Sequence, residues 1–363
     1  MGIRGIPASY GGFETFAEGL STRLVKKGHE VTVYGRSNAV KGSPPIYRGV
    51  RITILPTIPH KYLDTVAHTF LCVLHSLSHR YDVILICNAA NSPFALLPRI
   101  VGQKVVVNVD GIERQRRKWN RLGKLYYRLG EYLATKLPNA IVTDAEVIRK
   151  YYLKAYGKNS IMIPYGTAPE RTDSKAILSQ FYLEPENYIL YVSRLEPENN
   201  AHVVIDAFKK VKTEKKLVIV GDAPYAAAYK NYLRRAARED SRIVFTGFLF
   251  GKGYQELQSH AYCYVQATEV GGTHPALIEA MSFGNCVIAN ETPENIEVLG
   301  DSGVIYRKND VADLKEKLQI IIEREDIRKA YGQRASQRAR LEYSWDMVVE
   351  KYDDLFSQLR ASA

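Results

Sequence analysis

The stretch of sequence that says most about the fold is Glu269-Val-Gly-Gly-Thr-His-Pro-Ala-Leu-Ile-Glu-Ala-Met-Ser-Phe-Gly284. It predicts a glycine turn that leads into a short apolar helix. Pro275 suits the first helical position, where a missing N–H group costs nothing. Gly271 and Gly272 allow backbone N–H groups to approach a ligand closely, and a helix N-terminus attracts anions. The stretch therefore predicts an anion-binding site at the start of a helix.

A single carboxylate, Glu279, lies about one turn into this predicted helix, which Thr273 or His274 is expected to cap. The residues around Glu279 are mostly apolar, so the carboxylate should be buried and in need of partners. Helical side chains lean toward the helix N-terminus, so Glu279 should face the anion site and accept hydrogen bonds from a sugar diol beside a phosphate. The alternative is that Glu279 is simply a good helix former.

Length and composition favour an ordinary soluble protein of two domains. The chain has 363 residues, of which 46% are hydrophobic and 25% charged. It has no apolar run of membrane-spanning length and no signal-peptide pattern, so we expect a cytoplasmic location. The four cysteines are scattered, which predicts buried thiols, and the histidines do not cluster, so we expect no metal and no cofactor. The net charge of +11 favours an anionic partner such as a nucleotide, a phospholipid surface or a nucleic acid.

Short apolar strands alternate with amphipathic helices along the whole chain, which predicts an α/β protein with two doubly wound parallel sheets. We place the domains at residues 1–168 and 180–342, joined by a turn-rich segment, with a last helix over 343–363. The predicted strands are Glu30–Tyr34, Arg51–Leu55, Val83–Cys87, Val105–Val109, Ala140–Thr143, Tyr188–Ser193, Leu217–Val220, Ile243–Thr246, Cys263–Gln266 and Val287–Ala289.

A second glycine-rich turn lies at the start of the chain. Residues Gly2–Pro7 and Gly11–Gly12 precede a predicted helix over Phe13–Lys27. In a doubly wound domain such a turn follows the first strand. Only Met1 stands before it here, so we expect the first domain to lack its first strand.

Six segments, in order along the chain, carry a resemblance to a known family. Together they resemble the retaining glycosyltransferases of family 4, and more closely the bacterial branch that contains rhamnosyltransferases of polysaccharide assembly. The resemblance implies the GT-B architecture, with two Rossmann-like domains facing a central cleft. It also implies that the second domain holds the donor nucleotide, that the first binds the acceptor, and that the last helix crosses back to the first domain. The segments are Arg4–Thr15, Gly28–Tyr34, Asp110–Glu113, Ser193–Asn200, Gly271–Gly284 and Tyr343–Trp345.

The resemblance also implies roles for residues in the second domain. Relatives commonly carry two glutamates with seven residues between them. The position of the first glutamate is Gly271 in this chain, so that glutamate is absent. The second matches Glu279, which the family uses on the donor ribose. Glu269 either substitutes for the absent glutamate or is a solvated loop residue.

Arg194 ends a predicted strand, where its guanidinium can grip a diphosphate; the alternative is a surface ion pair with a nearby glutamate. Relatives usually have a lysine five residues later. This chain has Asn199 there, which the resemblance places among the donor-binding residues. Arg4 and the backbone amides of Gly11 and Gly12 are expected to supply part of the missing phosphate contact.

Asp110 follows the predicted strand Val105–Val109, at a place where relatives often have a histidine that faces the reacting sugar. Two interpretations stay open. Asp110 either orients a donor hydroxyl or engages the acceptor, or it caps the helix that follows Gly111.

A basic amphipathic segment lies between Arg114 and Lys136, with eight Lys or Arg residues and the single acid Glu131. Leucines recur there at helical spacing. Such a helix can lie on an anionic membrane and meet a lipid-linked acceptor, or it can pack its apolar stripe on the sheet and expose its basic face. The basic residues assigned to the membrane or acceptor side are Arg116, Arg117, Lys118, Arg121, Lys124 and Arg128.

The function predicted from the residues and the resemblance is that of a metal-independent, retaining hexosyltransferase. It would move a sugar, with rhamnose from deoxythymidine-diphosphate rhamnose as the first candidate, to a growing, lipid-linked surface polysaccharide. The expected partners are a nucleotide-sugar donor, an oligosaccharide or polyprenyl-diphosphate-linked acceptor, and an anionic surface on the inner face of the cell membrane. No nucleic-acid motif is present. The alternatives are a sugar-nucleotide epimerase of the same fold, or an inactive protein that binds an anionic surface.

Overall fold

The computed structural model describes residues 1–40, 42, 44–60, 63–117, 119–224 and 226–362. The chain divides into two compact units. Unit 1 comprises Met1–Gly166 together with Trp345–Ala363, and unit 2 comprises Thr167–Ser344.

Strands and helices alternate through both units. The strands are β1 Thr32–Arg36, β2 Ile46–Tyr47, β3 Val50–Leu55, β4 Val83–Cys87, β5 Lys104–Val109, β6 Ala140–Thr143, β7 Ile161–Met162, β8 Tyr188–Val192, β9 Lys216–Val220, β10 Ile243–Gly247, β11 Cys263–Gln266, β12 Cys286–Asn290 and β13 Val304–Tyr306. The helices are α1 Gly12–Lys26, α2 Asp64–Ser76, α3 Leu96–Ile100, α4 Arg121–Ala134, α5 Glu146–Tyr156, α6 Ala176–Gln180, α7 Ala201–Phe208, α8 Ala227–Ala237, α9 Gly251–Ser259, α10 Pro275–Ser282, α11 Pro293–Leu299, α12 Val311–Glu323, α13 Glu325–Glu342 and α14 Trp345–Ala361.

The predicted α/β class is confirmed, and each predicted strand overlaps an observed one. The strands β2, β7 and β13 were not predicted. They are two or three residues long, too short for an apolar run to stand out from its surroundings.

Unit 1 holds two separate sheets. One has the order β1-β3-β2 and the other the order β4-β5-β6-β7. All pairs are parallel except β2 with β3, which is antiparallel and corrects the expectation of purely parallel sheets. The core of the second sheet is β5, where Val105, Val106 and Val107 are completely buried. Such burial on both faces explains the unbroken valine run in the sequence.

Unit 2 holds one six-stranded parallel sheet with the order β10-β9-β8-β11-β12-β13. The chain builds outward from β8 on one side and from β11 on the other. The direction of strand addition therefore reverses between β8 and β11. Open α/β sheets bind ligands beyond the carboxyl ends of the strands at such a reversal.

The last helix, α14, belongs to unit 1, and Trp345 at its start anchors it there. A Cβ atom at Gly19 of α1 or at Gly166 would collide with the Trp345 indole, so both positions require glycine. The indole also stacks with Phe16, with ring centroids 6.5 Å apart, and lies 5.0 Å from the Arg23 guanidinium. This packing explains why a tryptophan begins the helix.

All four cysteines are buried free thiols, as predicted. Within the described residues, no helix combines the length and apolar character that crossing a membrane requires.

Candidate functional site

Arg194 lies in the loop that follows β8, at the reversal of the unit 2 sheet. Its side chain is about one-quarter exposed. Arg194 Nη1 lies 3.9 Å from Glu196 Oε1, the ion pair that the sequence left open, and this length makes the pair weak. The guanidinium is therefore placed where the fold binds ligands.

The side chain of Asn199 holds the backbone of this loop. It is 3% exposed, and its Nδ2 donates to the backbone oxygen of Arg194 at 2.7 Å. The Tyr191 hydroxyl donates to the Asn199 backbone oxygen at 2.6 Å. The Asn199 amide is thus turned inward and holds the Arg194 backbone.

Glu269 joins several loops at the carboxyl edge of the sheet. Its Oε1 accepts a hydrogen bond from Asn200 Nδ2 at 3.0 Å and another from Asn309 Nδ2. Asn290 Nδ2 donates to Asn309 Oδ1 at 2.8 Å, which extends the network to the end of β12. Glu269 is therefore a partly buried tie between loops, and the interpretation as a solvated loop residue is wrong. The asparagines were missed because they are far apart in the sequence.

The glycine turn follows β11 on the other side of the reversal. Gly271, Gly272 and Thr273 are buried, and His274 is the N-cap residue of α10, with Pro275 at its first position as predicted. A Cβ atom at Gly271 would collide with the His274 ring. The position at which relatives carry a glutamate is therefore covered by an imidazole in this chain.

Glu279 accepts a hydrogen bond at Oε2 from the Tyr254 hydroxyl, at 2.7 Å. Gln258 Nε2 donates to that same hydroxyl at 2.8 Å, and Asn285 Nδ2 donates to Gln258 Oε1 at 3.0 Å. In the described part of the chain, Glu279 Oε1 accepts no hydrogen bond. Hydrogen bonds from α9, supported by Asn285 just after α10, thus hold one carboxylate oxygen of Glu279 and leave the other for a ligand.

Burial raises the pKa of Glu279 from 4.5 to about 7, and the hydrogen bond from Tyr254 acts in the opposite direction. Part of the residue remains accessible to water. The carboxylate is thus costly to ionise in the absence of a ligand. A hydroxyl donor beside it would favour the charged form.

In unit 1, two glutamates of α1 hold the glycine-rich loop. Glu14 Oε1 accepts a hydrogen bond from the Arg4 backbone N–H at 2.8 Å, and Glu18 Oε2 accepts one from the Ala8 N–H at 2.7 Å. The loop therefore has a defined conformation before any ligand binds. Sequence reasoning singled out the glycines and missed these two carboxylates.

The predicted loop residues lie together at the start of α1. Gly11 is the N-cap residue with an extended backbone, and Gly12 is the first residue of the helix. The Arg4 guanidinium stacks on the Tyr10 ring, 3.4 Å from its centroid. Aromatic stacking orients a guanidinium and leaves its edge for an anion.

Asp110 follows β5 and is half-buried. The 3₁₀ turn after it, Glu113–Gln115, has Ile112 as its N-cap residue. Asp110 is therefore not the N-cap residue of this turn.

Helix α4 presents an apolar and basic face to solvent. Leu122, Leu125 and Leu129 are 76%, 64% and 49% exposed. The packing interpretation, in which these leucines cover the sheet, is therefore wrong. The residues of α4 that are buried are Tyr127, Gly130, Glu131 and Ala134. The exposed basic residues beside the leucines are Arg121, Lys124 and Arg128.

Arg116 differs from the other basic residues that were assigned to this surface. Arg116 is 6% exposed and forms an ion pair with Glu113, so its assignment to a membrane-facing surface is wrong. Burial requires a charge to be paired, and Arg116 meets that need inside the protein. Arg117 is exposed, and Lys118 lies outside the described residues.

No group of three or more His, Cys, Asp or Glu side chains in the described residues is arranged to hold a metal ion.

Comparisons with known proteins match both halves of the chain to sugar-transfer families. Residues 10–171 match the model of Glycosyltransferase Family 4, and residues 175–338 match that of Glycosyl transferases group 1. The O-antigen chain mannosyltransferase C of Escherichia coli is 23% identical, over 98% of this chain and 96% of its own length. The lipopolysaccharide 1,2-N-acetylglucosaminetransferase of Salmonella typhimurium is 24% identical, over 69% of this chain and 71% of its own.

Among solved structures, Anabaena HepE in complex with UDP and glucose matches with a TM-score of 0.81 and 16% identity, covering 96% of each chain. That likeness shows the fold. Together with the family matches, it identifies the chain as a glycosyltransferase of the GT-B fold, with two Rossmann-like domains.

Proposed function

We propose that this protein is a metal-independent, retaining glycosyltransferase that extends a lipid-linked cell-surface polysaccharide. The observation that carries the proposal is the placement of Arg194 and Glu279 after β8 and β11, on the two sides of the sheet reversal in unit 2. One side chain is suited to a diphosphate and the other to a sugar diol.

The proposed donor site is built from these two side chains and the start of α10. The Arg194 guanidinium binds the diphosphate, with the backbone N–H groups around Gly272 and Thr273 at the helix N-terminus. The Glu279 carboxylate accepts hydrogen bonds from the ribose hydroxyls through Oε1. Tyr254 keeps the carboxylate in place by its hydrogen bond to Oε2.

In the proposed reaction the acceptor oxygen forms a bond to the anomeric carbon on the face that the diphosphate leaves. The bond from that carbon to the diphosphate breaks, and the departing diphosphate takes the acceptor's proton. Arg194 and the helix-end amides stabilise the negative charge that builds on the leaving oxygen. Asp110 is assigned the orientation of a substrate hydroxyl in unit 1.

For the donor sugar we propose rhamnose, carried on deoxythymidine diphosphate. The support is the resemblance of the six segments, taken together, to the bacterial branch that contains rhamnosyltransferases. The structure of HepE is a complex with UDP and glucose, so a uridine donor is the competing choice. Thermal-shift measurements with uridine, thymidine and guanosine diphosphate sugars distinguish them, and a shift restricted to a non-thymidine sugar would refute the rhamnose assignment.

For the acceptor we propose a glycan on a polyprenyl diphosphate at the inner face of the cell membrane. The names of the two relatives place their reactions on an O-antigen chain and on lipopolysaccharide. The exposed leucines of α4, flanked by Arg121, Lys124 and Arg128, suit an anionic bilayer surface. We propose no role for nucleic acid.

The transfer itself is tested by incubating the protein with labelled donor and a polyprenyl-diphosphate-linked oligosaccharide. We expect label in the lipid product and a retained anomeric configuration. Donor alone serves as the control for an epimerase: an isomerised sugar nucleotide without acceptor would overturn the transferase proposal.

The membrane surface is tested by sedimentation with vesicles that contain anionic or only zwitterionic lipids. We expect binding to anionic vesicles, and loss of that binding in Leu125→Asp. Leu125 is 64% exposed, so this change should leave stability nearly unaltered. Equal sedimentation of both proteins, or no binding at all, would remove the membrane from the proposal.

A further inference from the structure

Asn88 follows β4 at the carboxyl end of the second sheet of unit 1, in a strained backbone conformation. Its φ is 76° and its ψ is 129°, whereas the other non-glycine residues with positive φ in the described part of the chain have φ values between 48° and 58°. These angles lie beyond the left-handed helical region that asparagine tolerates. The Asn88 N–H donates to the Asn108 oxygen at 2.9 Å, and the Asn91 N–H donates to the Asn88 oxygen at 3.0 Å. A side chain is therefore held where glycine would be less strained, a feature that is concentrated at ligand-binding sites.

The local role of the Asn88 side chain does not explain why glycine is absent here. Its Oδ1 accepts a hydrogen bond from the Ala90 N–H at 2.9 Å and so caps the 3₁₀ turn Ala89–Ala95. Glycine serves as an N-cap residue nearly as well as asparagine. The Nδ2 group has two N–H donors, and one of them is directed to the Tyr127 hydroxyl. The NH2 group is thus the part of Asn88 that the cap leaves unexplained.

Tyr127 of α4 joins the ends of the neighbouring strands β4 and β5. Burial raises the pKa of Tyr127, and the carboxylates of Glu113 and Asp110 raise it further. The Arg116 guanidinium and the hydrogen bond from Asn88 act in the opposite direction. The hydroxyl therefore keeps its proton at neutral pH, and it holds the Asn88 amide beside the group of side chains that includes Asp110.

Trp119 adds an aromatic wall to this group. Its ring centroid lies 4.9 Å from that of Tyr127, and Trp119, Asn88 and Asp110 are all half-buried. Small-molecule sites combine aromatic walls with a few placed polar groups. An amide, a carboxylate and an aromatic face are together suited to a sugar ring, which has hydroxyls at its rim and C–H groups on its faces.

We propose that the carboxyl ends of β4 and β5 form the subsite for the terminal sugar of the acceptor glycan, with Asn88 as the residue that selects it. The Asn88 Nδ2 group donates to one hydroxyl of that sugar, Asp110 accepts from another, and the Trp119 ring covers a C–H face. Tyr127 is a positioning residue, because it holds the Asn88 amide. The inference rests on the proposed glycosyl transfer and names the residues of unit 1 that recognise its acceptor.

The position of the subsite against α4 favours the acceptor as the source of this sugar. Leu125 and Leu129 lie on the exposed face of this helix, which is the surface proposed above for the membrane. Tyr127 lies on its buried face. A helix with its side chains is about 10–12 Å across. A lipid-linked glycan at the exposed face is therefore separated from the subsite by a single helix.

The experiment compares Asn88→Gly with Asn88→Ala. Both variants lack the amide, but only alanine keeps a Cβ atom in the strained conformation, so Asn88→Gly should have the higher thermal midpoint, by about 2–4 °C. The KM for a polyprenyl-diphosphate-linked oligosaccharide should nevertheless rise about 10-fold in both. Recovery of this KM in Asn88→Gly would overturn the proposal, because the shape of the loop alone would then matter. Weaker binding of the nucleotide sugar by the variants, measured by calorimetry, would also overturn it, because that result assigns the subsite to the donor.

A second measurement does not depend on turnover. Tryptophan fluorescence with the lipid-free oligosaccharide reports binding at Trp119, because the other tryptophan of the chain, Trp345, is 7% exposed. Binding that weakens equally in both Asn88 variants would support the subsite even if no sugar were transferred, whereas an unchanged signal from the unaltered protein would refute it. Among oligosaccharides that lack single hydroxyls on the terminal sugar, one should bind equally to the unaltered protein and to Asn88→Ala. If the variant bound every one of them more weakly than the unaltered protein, Asn88 would not recognise a hydroxyl and the proposal would fail.

Discussion

Replacing Glu279 by glutamine should stabilise the protein at neutral and alkaline pH while weakening its proposed binding of a nucleoside diphosphate sugar. Burial raises the pKa of Glu279 from 4.5 to about 7, so between these values the folded protein binds more protons than the unfolded chain. The free energy of unfolding therefore falls as the pH rises through this window. Glutamine has no proton to lose and still accepts the hydrogen bond from Tyr254.

The size of the effect follows from the same shift. A displacement from 4.5 to about 7 corresponds to about 3 kcal/mol, since one pH unit is worth about 1.4 kcal/mol. Water reaches part of the Glu279 side chain, which sets the expected gain at about 1–3 kcal/mol above pH 7. Loss of the charged acceptor should weaken donor binding by about 1.5–3 kcal/mol, or roughly 10- to 100-fold.

The assay is denaturant unfolding of the unaltered protein and of Glu279→Gln between about pH 5 and 9. The free energy of unfolding is taken from the transition whose midpoint the substitution changes. The difference in free energy of unfolding, Glu279→Gln minus unaltered protein, should grow with pH and level off above about pH 8. Tyr254→Phe is the matched control: it removes the hydrogen bond that lowers the Glu279 pKa, so the fall in stability should move to higher pH. A difference that stays constant over the whole range would refute the argument from burial.

Three further predictions concern the other parts of the candidate site. Arg194→Ala should lower kcat by about 10²–10³-fold, because the charge that builds on the leaving diphosphate loses a donor; unaltered turnover in a transfer assay would exclude its role at the diphosphate. Gly271→Ala should weaken donor binding by displacing the His274 ring, and adding His274→Ala should recover the stability lost in that single variant. Calorimetry and unfolding of the four proteins in this double-mutant cycle measure the coupling between the two positions, and strictly additive effects would contradict a coupling. Glu14→Ala should lower the free energy of unfolding by about 1–3 kcal/mol, because the Arg4 N–H loses its acceptor. The amide exchange of Arg4 should become faster, and exchange that stays slow would show that other contacts hold the loop.

Local sequence patterns were sufficient to predict many of the strands and the start of one helix. The strands Val83–Cys87, Ala140–Thr143 and Cys263–Gln266 were predicted with their observed bounds. Unbroken apolar runs of this length leave few other ways to bury the chain. The start of α10 at Pro275 was predicted for a similarly local reason, because proline suits the first turn of a helix and little else within one.

The sequence was less informative about partners. Arg116 stands among basic residues in the chain yet is buried against Glu113, and the leucines of α4 follow a pattern typical of a packed stripe yet are exposed. Helical periodicity shows which residues share a face. It does not show which face meets the protein, because that depends on elements brought in from elsewhere.

The amino-acid sequence by itself determined the alternation of strands and helices, the glycine turns and the position of Glu279 on an apolar helix, since each depends on neighbours within a few residues. Only the tertiary structure decided that Arg194 and Glu279 follow the two strands at which the sheet reverses, that Tyr254 holds the carboxylate, and that residues of β1 and β4 line one cavity. These features arise from contacts between segments tens of residues apart, which are set by the packing of the complete core and not by any local preference.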